Sequence, residues 1–528
     1  MQTKHWDEMK KDCQIKKCFF VECSSSLWLG VAKHLKQENM EVTYWSATAE
    51  FENDIKNNFP NTIYQNCYQA KTLKMPENFN NVRPLYDWAF NEIYLTQAQN
   101  LYSMCERFNF SLDLNLYQMK KYLVKGIGLW NAIIQQYRPD IIVFPNVPHV
   151  VYDFIIFTLA RLHGIHTIMF EETSLNPEMY VLTTSDFEKG FPRLKNKYHQ
   201  LLKLNKKPVI SSGTQIYFNK IKADYKGALP PAEKELRSTF DNILSVKYFL
   251  QIMRYAIQFC ISAILKSIKG EDFNRWKGAL SKQKGHNLDA SYQGVWGKFC
   301  YYLDTFKWKI NSDKRLSQYL KLCSQYNKNL KYVYFPLSVQ PERSSCPQGG
   351  IFVDIWLAIE MVSKAIPDDW VVYVKEHPVQ WGLHGHICRS SSYYADLLQI
   401  PKVQLISLVN DPFEIIDNAQ AVATISGTTG WEALVRGKPV ITFGKTWYND
   451  CIGVRHIKDE AECTRAINHI IKNPRVEEKL IKLFVQAIEE SGVPGFVDIY
   501  YQDIWQGSHE QNEKNIAEQI ISALNIRY

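Results

Sequence analysis

The sequence predicts an α/β protein built from two doubly wound halves with a helical insert between them. Short apolar β-prone runs alternate with helical stretches from residue 16 to residue 170. The alternation stops from about residue 203 to residue 331 and resumes from residue 332 to residue 443. Strand–helix alternation of this kind builds parallel sheets. A chain of 528 residues also exceeds what one ordinary core accommodates. The expected division is an N-terminal domain over 1–202, a basic helical insert over 203–330, a C-terminal domain over 331–500 and a tail helix over 501–528.

In the first half, residues 16–21 (KKCFFV) read as a buried strand, followed by Glu22 and three serines. Residues 27–37 form an amphipathic helix, and 42–45 the next strand. Residues 83–137 are mainly helical in pattern. DIIVF at 140–144 is a strand stopped by Pro145, 150–162 is a helix, and TIMF at 167–170 is a strand that ends in Glu171-Glu172-Thr173.

The middle region is rich in Lys, Tyr and Trp and reads as helical. Within residues 243–266, Lys247, Gln251, Arg254, Gln258 and Ser262 trace one narrow polar stripe. A mostly buried helix explains this pattern, as does a helix lying in the plane of a membrane surface; the buried helix is the reading preferred.

In the second half, strands are expected at 332–335, 371–375, 403–406, 421–425 and 440–443. Helices are expected at 351–365, 393–399, 412–419 and 431–436, with further helices over 460–491 and 513–524. The stretch AVATISGTTGWEALVRGKPVITF over 421–443 carries the most chemistry. Its Ser426-Gly427-Thr428-Thr429-Gly430 turn breaks a strand and opens a helix, so it brings N–H groups and hydroxyls to the positive end of a helix dipole. A phosphate suits that place, with Glu432 in the first helical turn within reach of ribose hydroxyls. A plain helix cap would use the same residue types.

Three more clusters fall at the expected carboxyl ends of strands, where open α/β sheets bind ligands. They are Gln340-Pro341-Glu342-Arg343, Lys375-Glu376-His377-Pro378 and Glu171-Glu172. Each alone is compatible with a surface loop, a structural histidine or a solvated acidic turn. Their joint placement points to one site.

Composition narrows the classes. An apolar content of 46% and an aromatic content of 13% belong to a folded protein. The net charge of +8 (62 − 54) favours anionic partners or an anionic membrane surface. The basic residues are dispersed without a recognition motif, so no nucleic acid is expected. The start MQTKHWDEMKKDCQ is polar, so no signal peptide is expected, and no apolar run is long enough to predict a membrane span. Twelve scattered cysteines without a C-x-x-C pair read as free cytosolic thiols. His377, His384, His386 and Cys388 match no standard zinc spacing, so no metal and no cofactor is expected.

YFPLSVQPERSS, VVYVKEHP and AVATISGTTGWEALVRGKPVITFGKTWY, in that order, resemble the capsular polysaccharide biosynthesis proteins. That group includes CMP-Kdo-dependent glycosyltransferases of bacterial surface polysaccharide assembly. The resemblance covers residues 332–454 and, more loosely, 140–180, where FPNVPHVVYDFIIFTLARLHGI and MFEET are similar in order and spacing. It leaves the middle region uncovered.

The resemblance implies two Rossmann-like domains facing a cleft, the GT-B arrangement. It implies a CMP-activated sugar such as Kdo or another 2-keto acid sugar as donor, and a glycan or glycolipid as acceptor. It places the cytidine nucleotide on His377-Pro378 and its phosphate on Ser426, Gly427 and Thr428, with Thr429 in the same turn. Glu171-Glu172 resembles the acidic pair whose second member does the chemistry, although Thr173 stands where that pair is usually followed by glycine.

Chemically, a leaving phosphate needs the electrostatic stabilisation of a helix N-terminus, and an acceptor hydroxyl or anomeric carbon needs a carboxylate. Lys375 or Arg343 suits a sugar carboxylate; Gln340, Glu342 and His149, with Asp153 nearby, are substrate-side candidates. The expected location is cytoplasmic, with peripheral contact to the inner membrane as an option. Two rivals remain: a CDP-polyol phosphotransferase of the wall-polymer type, and a non-catalytic scaffold or export protein on the same fold.

Overall fold

The apolar runs of the N-terminal half pair into a seven-stranded sheet, because runs such as Cys18-Phe19-Phe20 are buried and need cover on both faces. In the computed structural model the described residues are 15–112, 115–173, 179–223, 294–340, 342–381, 388–502 and 505–525, with Leu175 and a few positions between 250 and 261. They fall into two compact units. One comprises Met1–Tyr102, Leu116–Phe218 and Lys479–Tyr528; the other comprises Ser103–Asn115 and Asn219–Glu478.

The strands of the first unit are β1 (Lys16–Phe20), β2 (Met40–Ala47), β3 (Ile63–Asn66), β4 (Ile141–Phe144), β5 (His166–Thr173) and β6 (Tyr180–Thr184). The sheet order is β3-β2-β1-β4-β5-β6, with a late strand from the C-terminal segment beyond β6. Pairing is parallel from β3 across to β5. The chain turns back on itself at β1, so the β1/β4 boundary is the switch point of a doubly wound sheet.

One face is covered by the helix Ser26–Gln37 and by the C-terminal helix His509–Asn525. The two approach closely at Gly30, where an added Cβ would lie 1.9 Å from the Glu513 carboxyl carbon. Their core joins Phe20, Trp28, Trp45 and Phe170 to Val497, Ile516 and Ile520.

The sheet departs from expectation at β5. That strand runs past Phe170 through Thr173 and pairs antiparallel with β6, setting Glu171 opposite Leu182 and Glu172 opposite Val181. The acidic pair therefore lies inside a strand and not after one. Tyr180–Thr184 (YVLTT) supplies the β-branched and aromatic partner that makes the extension favourable.

The segment from Lys479 onward, expected to close the second domain and end as a tail, is part of the first unit. The expected helix over 460–491 is two helices, Glu460–Lys472 and Glu478–Ser491, separated at Asn473-Pro474.

The second unit holds β7 (Lys331–Pro336), β8 (Trp370–Lys375), β9 (Val403–Leu405), β10 (Ala421–Thr424), β11 (Val440–Thr442) and β12 (Val454–His456). Their order is β9-β8-β7-β10-β11-β12, and every pairing is parallel. This is the 3-2-1-4-5-6 arrangement, with its switch point between β7 and β10. The late strand of the first sheet is β13 (Val493–Pro494), antiparallel to β6.

Of the middle region, the helices Ser212–Ala223 and Gly294–Leu322 are described. The second contributes Tyr319, fully buried, to the core of the second sheet. The segment 243–266 lies mostly outside the described residues; of those described within it, Leu250, Met253, Ile257 and Ile261 are exposed. No helix among the described residues is long and apolar enough to cross a membrane.

Candidate functional site

The loop after β7 and the turn after β10 leave neighbouring strands at the switch point of the second sheet. Ser426 ties them together, its Oγ donating to the Ser344 carbonyl at 2.7 Å. The turn is then closed from two sides. Gly427 N–H donates to Thr424 Oγ1 at 3.2 Å, and Tyr448 O–H donates to the Gly427 carbonyl. Gly430 is required by that tyrosine, since a Cβ there would lie 2.5 Å from the hydroxyl.

The helix that follows is Thr428–Val435, three residues earlier than its composition suggested. Its N-cap is Gly427, which has no side chain to cap the first turn. Thr428 is exposed and Thr429 half-buried there. The earlier start corrects the expectation for Glu432, which falls in the second turn and is buried at 7% exposure.

The His-Pro loop leaves the end of β8, next to β7. His377 is half-buried; its N–H donates to Glu376 Oε1 at 2.8 Å, and its Nδ1 accepts from Val379 N–H at 3.2 Å. Pro378 opens a short 3-10 turn, Pro378–Trp381.

Beneath this loop lies a network that motif reading did not find. Arg389 and Glu376, each side chain fully buried, pair at 2.6 Å. Tyr394 O–H donates to the same Glu376 carboxyl at 2.7 Å, and Tyr319 O–H accepts from Glu376 N–H at 3.0 Å. Arg389 also donates to Gln340 Oε1 at 2.6 Å and to the Ser338 carbonyl at 3.2 Å. One guanidinium thus holds the loops after β7 and β8 in a single arrangement. Position 389 carries no local signal for this, because its partners lie 13 and 49 residues away.

Two expected ligand-facing residues prove to be engaged inside the protein. Gln340 donates to the Val353 carbonyl at 2.8 Å while accepting from Arg389, and its backbone exchanges two bonds with the Gln380 amide. Lys375 is 3% exposed and donates to the Asn410 carbonyl at 2.5 Å. Glu342 is exposed and Arg343 half-buried. Pro341, His384 and His386 lie outside the described residues, and among the described residues no group of three His, Cys, Asp or Glu is placed to hold a metal.

In the first sheet, the Glu172 carboxyl accepts the main-chain N–H of Val497 at 2.5 Å and of Asp498 at 2.7 Å. Burial pushes it up to about 8 against those two donors. Glu171 points to the other side of the strand and is 9% exposed. At the β1/β4 switch point stand Glu22, after β1, and His149, after β4. His149 is half-buried, with N–H to Asp153 Oδ2 at 2.9 Å and Nδ1 2.8 Å from the Val147 carbonyl.

Asp153 is buried beneath three main-chain N–H groups, and burial, aided by Glu22, pushes it up to about 7. Glu22 has a left-handed backbone (φ 63°), its N–H donates to Ser46 Oγ at 2.9 Å, and Lys71 Nζ stands 3.6 Å from its carboxyl. Burial alone would lower the Lys71 ammonium, but Glu22 and its neighbours outweigh that and hold it above the ordinary lysine value.

Comparison with known proteins agrees with the residues that carry the sequence resemblance. Residues 301–464 match the family described as capsule polysaccharide biosynthesis protein. A 78-residue stretch is 32% identical to capsule polysaccharide modification protein LipA of Neisseria meningitidis, covering 15% of this chain and 10% of that protein. The chain thus accounts for about a tenth of the length of that curated relative.

Among solved structures, a Thermosulfurimonas dismutans KpsC beta Kdo 2,7 transferase is 16% identical over 42% of this chain and 61% of its own, at a TM-score of 0.24. The S. aureus MnaA-UDP co-structure is 12% identical over 97% of this chain and 98% of its own, also at 0.24. Likeness at that level has no bearing on activity.

Proposed function

From the capsule polysaccharide biosynthesis pattern that the chain carries over residues 301–464, we propose a glycosyltransferase of surface polysaccharide assembly that uses a CMP-activated 2-keto acid sugar. The observation that carries the reading is the Ser426–Gly430 turn. It lies at the switch point of an all-parallel sheet and opens a helix whose N-cap has no side chain of its own. Those N–H groups and the exposed Thr428 suit a phosphate that gains charge as the sugar leaves. His377-Pro378, one strand away, suits the cytidine. Arg343, half-buried in the loop after β7, suits the sugar carboxylate.

In the reaction, a carboxylate takes the proton of the acceptor hydroxyl and the acceptor oxygen bonds to the anomeric carbon. The bond from that carbon to the phosphate oxygen breaks, and its electron pair leaves with CMP. The family resemblance supports Glu172 as that carboxylate, with Glu171 in support. A specific observation favours Glu22 as a second reading: a non-glycine residue held left-handed at a switch point, with a partly exposed carboxyl. The acceptor is a glycan or glycolipid, and the place of work is the cytoplasm or the cytoplasmic face of the inner membrane.

Calorimetric titration with CMP is the test. Wild-type protein is expected to bind CMP, and His377→Ala and Thr428→Val each to bind it about tenfold more weakly with the melting temperature kept. Equal affinity in all three proteins would remove the site. Binding of CDP-glycerol in place of CMP would transfer the reading to a polyol phosphotransferase.

A further inference from the structure

The middle region carries an apolar face that the protein leaves in solvent. The described residues within 250–261 are all helical. Leu250, Met253, Ile257 and Ile261 among them are 60%, 46%, 54% and 52% exposed. Steps of three, four and four put these side chains on one helix face, within an arc of about 80°. A buried helix would have such a face under cover. Large aliphatic side chains grouped on one exposed surface mark a contact with something outside the fold.

Charge says what that something is. Arg254, exposed, and Gln258, half-buried, come next around the helix from Ile261. In sequence they share a stripe with Lys247, Gln251 and Ser262, so polar stripe and apolar face run side by side. The sequence from 242 to 270 holds Lys247, Arg254, Lys266 and Lys269 and no Asp or Glu. That is a local excess of +4 (4 − 0) in a chain of net charge +8.

We propose that this helix lies in the plane of an anionic lipid surface and docks the protein there. Leu250, Met253, Ile257 and Ile261 enter below the headgroups, and the basic stripe stays level with the lipid phosphates. Arg254 serves both layers, with its methylene stem along the apolar side and its guanidinium on a phosphate. A lipid surface meets both features at once, an apolar depth beneath a layer of negative charge. A helix crossing the bilayer would instead carry Arg254 near its midplane, with Gln251 and Gln258 one turn to either side, at a high desolvation cost. The in-plane orientation removes that cost.

That the surface is the one on which a polysaccharide is built rests on the transferase reading; the preference for an anionic bilayer does not. The face is distant in sequence from the proposed donor turn, so each is tested by its own ligand.

The experiment is co-sedimentation of the full chain with lipid vesicles. Vesicles of phosphatidylcholine with about 30% phosphatidylglycerol should bind at least about tenfold more tightly than phosphatidylcholine alone, and binding should weaken as salt is raised. Met253→Asp combined with Ile257→Asp should weaken binding by at least about tenfold. Arg254→Gln should weaken it about threefold to fivefold and lessen its salt dependence. Melting temperature and CMP affinity should stay unchanged in all variants, since the substituted side chains are exposed. No vesicle binding, equal binding to the two lipid compositions, or binding that neither set of substitutions lowers would each overturn the proposal. Retention of the chain in cell membranes through alkaline carbonate would overturn it too, as the mark of a spanning helix. A dimer dissolved by the Met253 and Ile257 substitutions, without vesicle binding, would give the face to a second copy of the chain instead. If vesicles bind as expected while CMP binds nowhere, the transferase reading fails and the lipid-binding face stands.

Discussion

Glu172 concentrates the residue-scale questions. It is bonded to two main-chain N–H groups and yet pushed up to about 8, because burial outweighs the donors. A carboxyl that holds its proton more tightly folded than unfolded stabilises the fold fully below the ordinary carboxylate range. That contribution is lost as pH rises through about 8. Asp153, pushed up to about 7, acts with the same sign. Stability should therefore fall between pH 5 and 8, with Glu172 supplying at most about 1.4 kcal/mol per pH unit. Glu172→Gln keeps an oxygen for both N–H groups and should flatten the dependence of melting temperature on pH; an unaltered slope would rule out a raised carboxyl. The same variant tests chemistry. If Glu172 reacts, single-turnover transfer falls by about a hundredfold with CMP affinity kept. If transfer survives in Glu172→Gln and is lost in Glu22→Gln, the reacting carboxylate is Glu22.

At the scale of elements, the decisive object is the set of loops after β7, β8 and β10. Strand geometry delivers them to one edge; Arg389, from the segment before the short helix Tyr393–Leu397, holds the loops after β7 and β8, and Ser426 ties the turn after β10 to the loop after β7. A buried ion pair contributes little net stability compared with an apolar replacement of both partners. Removal of one partner leaves the other charge buried and costs far more. Arg389→Met should cost about 3–5 kcal/mol, read by urea denaturation. Arg389→Met combined with Glu376→Gln should recover part of that loss. A single variant as stable as wild type would show that the pair does not hold the loops.

For the whole molecule, the chain's return matters most. After completing the second sheet it re-enters the first unit, adds β13 to the edge of β6 and lays the helix His509–Asn525 on the helix Ser26–Gln37. Ile516 and Ile520 are both fully buried there. Each contributes about 1.5–3 kcal/mol by burial, so together they rival a large share of a domain's net stability. Ile516→Asp with Ile520→Asp in the full chain should expose the amides of β1 and β4 to hydrogen exchange and spare those of β7 and β10. Loss of protection in both sheets at once would mean that the two units do not unfold separately.

Much of the fold was legible in sequence order. Runs such as FF, DIIVF and AVATI have a composition that demands burial on both faces, and their alternation with helices leaves parallel sheets as the natural solution. The Ser426–Gly430 turn and the His-Pro dipeptide were legible for a similar reason: their chemistry is local. What escaped was set by partners distant in sequence. YVLTT is an unremarkable run until β5 offers an edge, and that pairing is what places Glu171 and Glu172 inside a strand. Gln340, Lys375 and Glu432 have side chains that suit a ligand, but each lies where the interior absorbs it, a fact of packing and helix register. Arg389 carries no motif. Local propensity and apolar pattern determined the layers and the order of the elements. Which polar groups face a ligand and which face one another was decided only by tertiary contact, because a buried polar group takes the nearest partner the fold supplies, and nearness in space is not encoded by nearness along the chain.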